Sequence, residues 1–345
     1  MFNLTSKHRN VIMGVSAIII LVHHYFTNIL DKPYKFGAIG VDLFMFVMGL
    51  GLYFSLYKDA EENKFIKSLP SYFFRRFIKI FPVFGAFLVF WGMWMFSNGG
   101  MTLKSFLLNL SFTGYWTLSY NQYFNWFISG ILLFYLLSPL FFFLTYKIKH
   151  KTISTLFLFV FLSVIVFFMR KNEAGEITRT LIMVVRLIPF CFGMLFGAYC
   201  KKAPSKAERN FCIVFFSVLF VIGVWLYILN NIYWNDSGFT YGMPWYSFGL
   251  MAPLFALIIA SISELISKFI KFIPSFFSFF GKMSFEIYLT HVFVIEYIML
   301  DLNKKGKLWF SEPYNFIAAF FVSIFSAYIL HCFSIKIKSI FNKTH

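Results

Sequence analysis

Apolar residues come in this chain as long runs separated by short polar stretches. Ten of the runs reach the roughly 20 residues that a helix needs to cross a hydrocarbon core. They fall near residues 11–30, 38–57, 80–97, 125–146, 152–169, 180–200, 211–230, 245–265, 281–300 and 314–333. No internal repeat, heptad or low-complexity linker breaks the series. The pattern therefore predicts an all-α integral membrane protein of about ten transmembrane helices, with one membrane domain over residues 1–345 and no soluble domain.

The polar stretches orient those helices. About two thirds of the 31 Lys and Arg residues lie at the amino terminus, at the carboxyl terminus and in alternate connections, among them the 58–79 loop, Lys147 to Lys151, Lys201 to Arg209 and Lys268 to Lys282. Cytoplasmic loops carry such an excess, so both termini are expected in the cytoplasm. The Lys304-Lys305-Gly306-Lys307 cluster is the one basic group this topology puts outside. The first apolar run is long and lacks a small-residue cleavage site, so no cleavable signal is expected.

Composition agrees. The chain is 59% hydrophobic and 13% charged, about half the charge of a soluble domain. Its net charge of +17 is scattered through short loops, which points to lipid headgroups and not to nucleic acid. Cys191, Cys200, Cys212 and Cys332 lie in or beside apolar runs without ligand spacing, so neither a disulfide framework nor a metal site is expected. The longer external loops, 98–124 and 231–244, are rich in Asn, Ser, Tyr and Trp. Interfacial anchoring and sugar stacking both account for that composition.

Ionisable side chains inside a span are costly and ask for a partner or a function. Those singled out are His23, His24, Asp42, Arg186, Glu286, His291 and Glu296. His24 lies roughly 9 Å and Asp42 roughly 6 Å below the external surface, at 1.5 Å per residue. A short hairpin joins their helices, so this imidazole and carboxylate are expected to meet, as a general base and its orienting acid do. Neutral packing is the competing explanation. His23 points about 100° away on the same helix, so at most one of the two histidines faces a common site. Arg186, near Pro189, Gly193 and Gly197, is expected to face the bundle interior, in an ion pair such as one with Glu286 or in a catalytic role. His291 and Glu296 are five residues apart, which turns them to different faces of an α-helix. Arg75, Arg76 and Lys79, before the third span, serve either as a positive topological anchor or as a grip on cofactor phosphates.

Six stretches along the chain together resemble the membrane-bound acyltransferase 3 family. They are Met13-Gly14 through His23-His24, Gly37-Ala38-Ile39-Gly40-Val41-Asp42-Leu43-Phe44, Arg75-Arg76 through Pro82, Asn125-Trp126-Phe127 with Tyr135 to Pro139, Arg186 to Gly193, and Gly281-Lys282-Met283-Ser284-Phe285-Glu286-Ile287-Tyr288-Leu289-Thr290-His291. The resemblance implies a ten-helix domain that takes an acyl group, usually acetyl, from cytoplasmic acyl-CoA to a hydroxyl of an extracytoplasmic or lipid-linked glycan. It also implies that His24 is the essential histidine and that Arg76 with Lys79 serves the donor, acetyl-CoA. The chain departs from the pattern at Met13, where the family often has Arg or Lys, at Lys79 in place of Arg, and at Met48, where many members have Ser.

The chain ends soon after the tenth span, so the membrane domain is expected to complete transfer alone or to hand the acyl group to a separate protein. The expected function is an O-acetyltransferase for capsule, O-antigen or a related surface polysaccharide, multi-pass in a bacterial cytoplasmic membrane. Direct attack assisted by His24 and an acyl-histidine intermediate both stay open. The rival from another class is a transporter or flippase for a lipid-linked sugar, which also needs buried charge between helices. A glycan polymerase is a further alternative.

Overall fold

The computed structural model describes residues 1–31, 35–62, 64–118, 124, 126–171, 175–232, 243–308 and 310–343. Asn125 of the fourth-span motif and residues 233–242 of the second aromatic loop lie outside them. The described chain begins with α1 (Phe2–Lys7), α2 (Arg9–Asn28), a 3-10 turn (Lys35–Ala38) and α3 (Ile39–Glu61). It continues with α4 (Phe65–Ser97), α5 (Leu103–Leu110), α6 (Gly114–Thr117), α7 (Trp126–Lys147), α8 (Lys151–Lys171) and α9 (Gly175–Lys201). Then come α10 (Lys206–Ile232), α11 (Met243–Ser267), α12 (Phe272–Lys282) and α13 (Ser284–Val292). A π-helical segment (Phe293–Met299), α14 (Leu300–Lys304) and α15 (Tyr314–Lys343) complete it.

Among the described residues, nine helices are long and apolar enough to cross a membrane, and a tenth span forms if α12 and the run from Ser284 to Lys304 count as one broken helix. The chain is thus an all-α, multi-pass membrane protein, as the apolar runs predict. Two local features differ from the sequence reading. The 58–79 connection is mostly helix, because α3 extends to Glu61 and α4 starts at Phe65. Its Lys, Ser and Arg residues lower hydropathy without breaking helical geometry, so a hydropathy window misses it. The 98–124 loop also holds structure. Its α5 is capped by Thr102, whose hydroxyl accepts from the Ser105 N–H while the Ser105 hydroxyl accepts from the Thr102 N–H.

The chain divides into two compact units. The first comprises Met1–Ile20, Phe36–Ser68 and Leu136–Lys282. Its center is the α3/α9 pair, where two glycines bring backbone against backbone. Gly49 faces the Phe190 carbonyl and Gly193 faces the Phe46 carbonyl, and a Cβ at either glycine would collide with that carbonyl. Close approach of this kind is how membrane helices gain packing energy when lipid tails are as apolar as their own side chains. The α9 span is accordingly 89% buried, against 22% for α10, whose Phe211, Val214 and Trp225 are exposed.

The second unit comprises Leu21–Lys35, Leu69–Tyr135 and Met283–His345. Leu21, Tyr25 and Ile29 of α2 pack with Val294, Ile295 and Met299 of the π segment and Ala319 of α15. Tyr25 donates a hydrogen bond to Glu312, and Thr290 donates to the Ser323 carbonyl at 2.8 Å, tying α13 to α15. On the π segment, Phe293 packs on Phe87 and Tyr297 on Trp91 of α4, and Tyr297 donates to the Phe124 carbonyl at 3.2 Å.

Candidate functional site

The second unit gathers the imidazoles. His24 of α2 sits 5.2 Å, ring to ring, from His291 of α13. Its Nδ1 lies 2.5 Å from Oε1 of Glu296 in the π segment. At that distance Nδ1–H donates to the carboxylate, which fixes the orientation of the ring. Both side chains are about a quarter exposed, so the pair is reachable. His291 is fully buried. Its Nδ1–H donates to the Ile287 carbonyl at 2.8 Å, and among the described residues its Nε2 has no hydrogen-bond partner. The two rings thus adjoin, and among the described residues the carboxylate lies on His24.

His23 stays beside the cluster, its ring center 5.4 Å from that of His24. Its Nδ1 lies 3.4 Å from Thr27 Oγ1 on its own helix.

The predicted pairing of His24 with Asp42 is corrected here, because the carboxylate on His24 belongs to Glu296. The five-residue step from His291 to Glu296 argues against a shared face only if the helix stays α. A π-helix bonds residue i to i+5, so this step brings both residues to one side. Nothing in the hydrophobic pattern announces the π segment, although Glu296 was already conspicuous as an acid within a span.

Asp42 lies in the first unit, completely buried, and neither carboxylate oxygen has a hydrogen-bond partner among the described residues. Arg186 lies in the same unit. Arg186 is buried inside the bundle as expected, with its guanidinium 5.4 Å from the Trp245 ring center and Nη1 donating to the Ile182 carbonyl at 3.4 Å. A buried charge needs a compensating one, and these two opposite charges sit beside the glycine-packed α3/α9 pair.

Glu286 has a partner within its own unit. Its Oε1 lies 3.0 Å from Nδ1 of His331, a buried carboxylate stapling α13 to α15. His331 falls within the tenth predicted span, yet sequence reasoning passed over it.

The basic cluster is also in the second unit, and it is not uniform. Arg75 is exposed and donates from Nη1 to Ser71 at 2.8 Å, Lys79 is exposed, and Arg76 is half-buried. The Arg76 guanidinium carbon lies 5.2 Å from the ring center of Tyr72 and 5.7 Å from that of Tyr135.

Comparison with known proteins agrees with this arrangement. Residues 10–332 match the family described as "Acyltransferase domain". Curated relatives from Staphylococcus aureus strains MSSA476, MRSA252 and MW2, each called "Probable poly-beta-1,6-N-acetyl-D-glucosamine export protein", are 24% identical over 191 residues. The match covers 53% of this chain and 52% of each relative, so the chain spans about half the length of the curated relatives it matches. No solved structure matches it.

Proposed function

The chain belongs to this acyltransferase family, whose model covers nearly all of it, and from that premise we propose that it is a membrane O-acyltransferase. The donor is cytoplasmic acyl-CoA, in the first instance acetyl-CoA. The acceptor is a hydroxyl of a cell-surface polysaccharide or its lipid-linked precursor, and the membrane is the bacterial cytoplasmic membrane with both termini inside. The observation that carries the reading is the His24–Glu296 pair at 2.5 Å with His291 against its ring.

In this reading His24 Nε2 takes the proton from the acceptor hydroxyl, and Glu296 holds the imidazolium that forms. The hydroxyl oxygen attacks the thioester carbonyl, the C–S bond breaks, and the proton passes to the leaving thiolate. Ester and free CoA are the products. The buried lone pair of His291 Nε2 accepts a hydrogen bond from the incoming hydroxyl and helps to aim it. If His24 is acylated first, the same Glu296 contact raises the nucleophilicity of Nε2, and the hydroxyl attacks the acyl-imidazole in a second step. Arg75, Arg76 and Lys79 grip the donor phosphates.

The test is a mass profile of surface glycan from a deletion strain carrying wild type or His24→Ala at equal protein abundance. Loss of an acetyl-sized mass in the mutant is the expected result. Glycan acylation that persists at full level would remove His24 from the chemistry.

The name of the staphylococcal relatives favors a second reading, export of an amino-sugar polymer. Under it, acylation is unchanged in the mutant while polymer accumulates inside, and acyl-CoA is not required.

A further inference from the structure

Arg76, before the third span, lies against two aromatic faces. Tyr72 lies one turn earlier on α4, and Tyr135 comes from α7. Tyr72 is fully buried and Tyr135 nearly so, so neither ring is free to swing away. The guanidinium lies within 6 Å of both ring centers, the range in which a cation feels the negative face of an aromatic ring. Among the described residues, Arg76 Nε is buried without a hydrogen-bond acceptor. A buried donor left unfilled on a charged group is costly, and it is tolerated here beside rings that supply charge stabilization but no acceptor.

A guanidinium held by its faces has lost its rotamer freedom, but its edge remains unused. That edge is the part that recognizes phosphate through paired N–H donors. Arg75 and Lys79 are exposed on the same helix.

We infer that Tyr72 and Tyr135 are positioning residues of the acyl-donor site, holding Arg76 with its guanidinium edge set for a phosphate of CoA. The inference rests on the donor reading given above. It makes Arg76 the preorganized ligand of that site. Preorganization lowers the ordering cost of binding, so its loss appears in donor affinity and KM, with kcat largely retained.

The experiment titrates CoA into purified protein in nanodiscs and measures KM and kcat for acetyl-CoA on the same samples. Tyr72→Leu and Tyr135→Leu remove a ring face and should each weaken CoA binding about three- to tenfold, the range a cation–π contact covers. Tyr135→Phe keeps the face and should restore affinity to within about twofold of wild type. A fluorinated phenylalanine at position 135 keeps the shape but withdraws the ring's negative charge. It should behave like Tyr135→Leu, which guards against a leucine variant that merely misfolds. If wild type binds CoA and every tyrosine variant binds equally well, the inference is overturned while the donor reading stands. If wild type binds no CoA, the donor reading fails and takes the inference with it.

Discussion

The α3/α9 pair of the first unit and the histidine cluster of the second bury ionisable groups in opposite ways. In the first, Asp42 and Arg186 are buried beside helices packed glycine to carbonyl, and among the described residues no hydrogen bond reaches the carboxylate. In the second, His24 and Glu296 make a short contact, keep about a quarter of their surface exposed and sit where the helix changes from α to π. Sealed charge suits a scaffold, and reachable, hydrogen-bonded charge suits chemistry. The contrast teaches that residues within the same set of family motifs divide between these duties, so motif membership alone does not identify a catalytic carboxylate.

The largest effect expected from breaking this comparison is structural. Gly193→Val pushes a branched side chain into the Phe46 carbonyl, and little folded protein should survive detergent extraction, as size-exclusion profiles would show. Next is His24→Ala, expected to lower kcat for acyl transfer by roughly 10²–10⁴ with the melting temperature kept, because a general base contributes about that much. Glu296→Gln retains a hydrogen-bonding group but loses the charge facing the imidazolium. A loss of roughly 10²-fold in kcat is expected, and single-turnover kinetics with labeled acetyl-CoA would measure it. Smallest in activity is Asp42→Asn. It should leave kcat within about threefold and instead lower stability by about 1–3 kcal/mol, read by thermal unfolding, since it alters a completely buried side chain.

The spans were legible because run length is a direct physical requirement of the bilayer, and the described helices follow the predicted runs closely. Helix within the 58–79 connection was not legible, since hydropathy registers apolarity and not helical geometry. At the site, His24 and His291 stood out because buried charge is costly, and Arg76 stood out as part of the basic cluster before the third span. The carboxylate on His24 was misassigned because equal depth in neighboring helices selected Asp42, and an α-helical period dismissed Glu296. One extra residue in a turn overrides that period, and no side-chain pattern encodes it here. The Tyr72–Arg76–Tyr135 arrangement was out of reach for a different reason. Tyr72 and Arg76 share a helical face, but Tyr135 arrives from a helix more than fifty positions away, so only tertiary packing assembles the clamp.

The measurement that bears most directly on the central claim compares acyl-transfer kcat for Glu296→Gln and Asp42→Asn, side by side in the same membrane preparation at matched protein abundance. Collapse of the rate in Glu296→Gln with near-normal turnover in Asp42→Asn is the expected result. The reverse order, with Asp42→Asn inactive and Glu296→Gln turning over normally, would contradict the assignment of Glu296 as the carboxylate that serves His24.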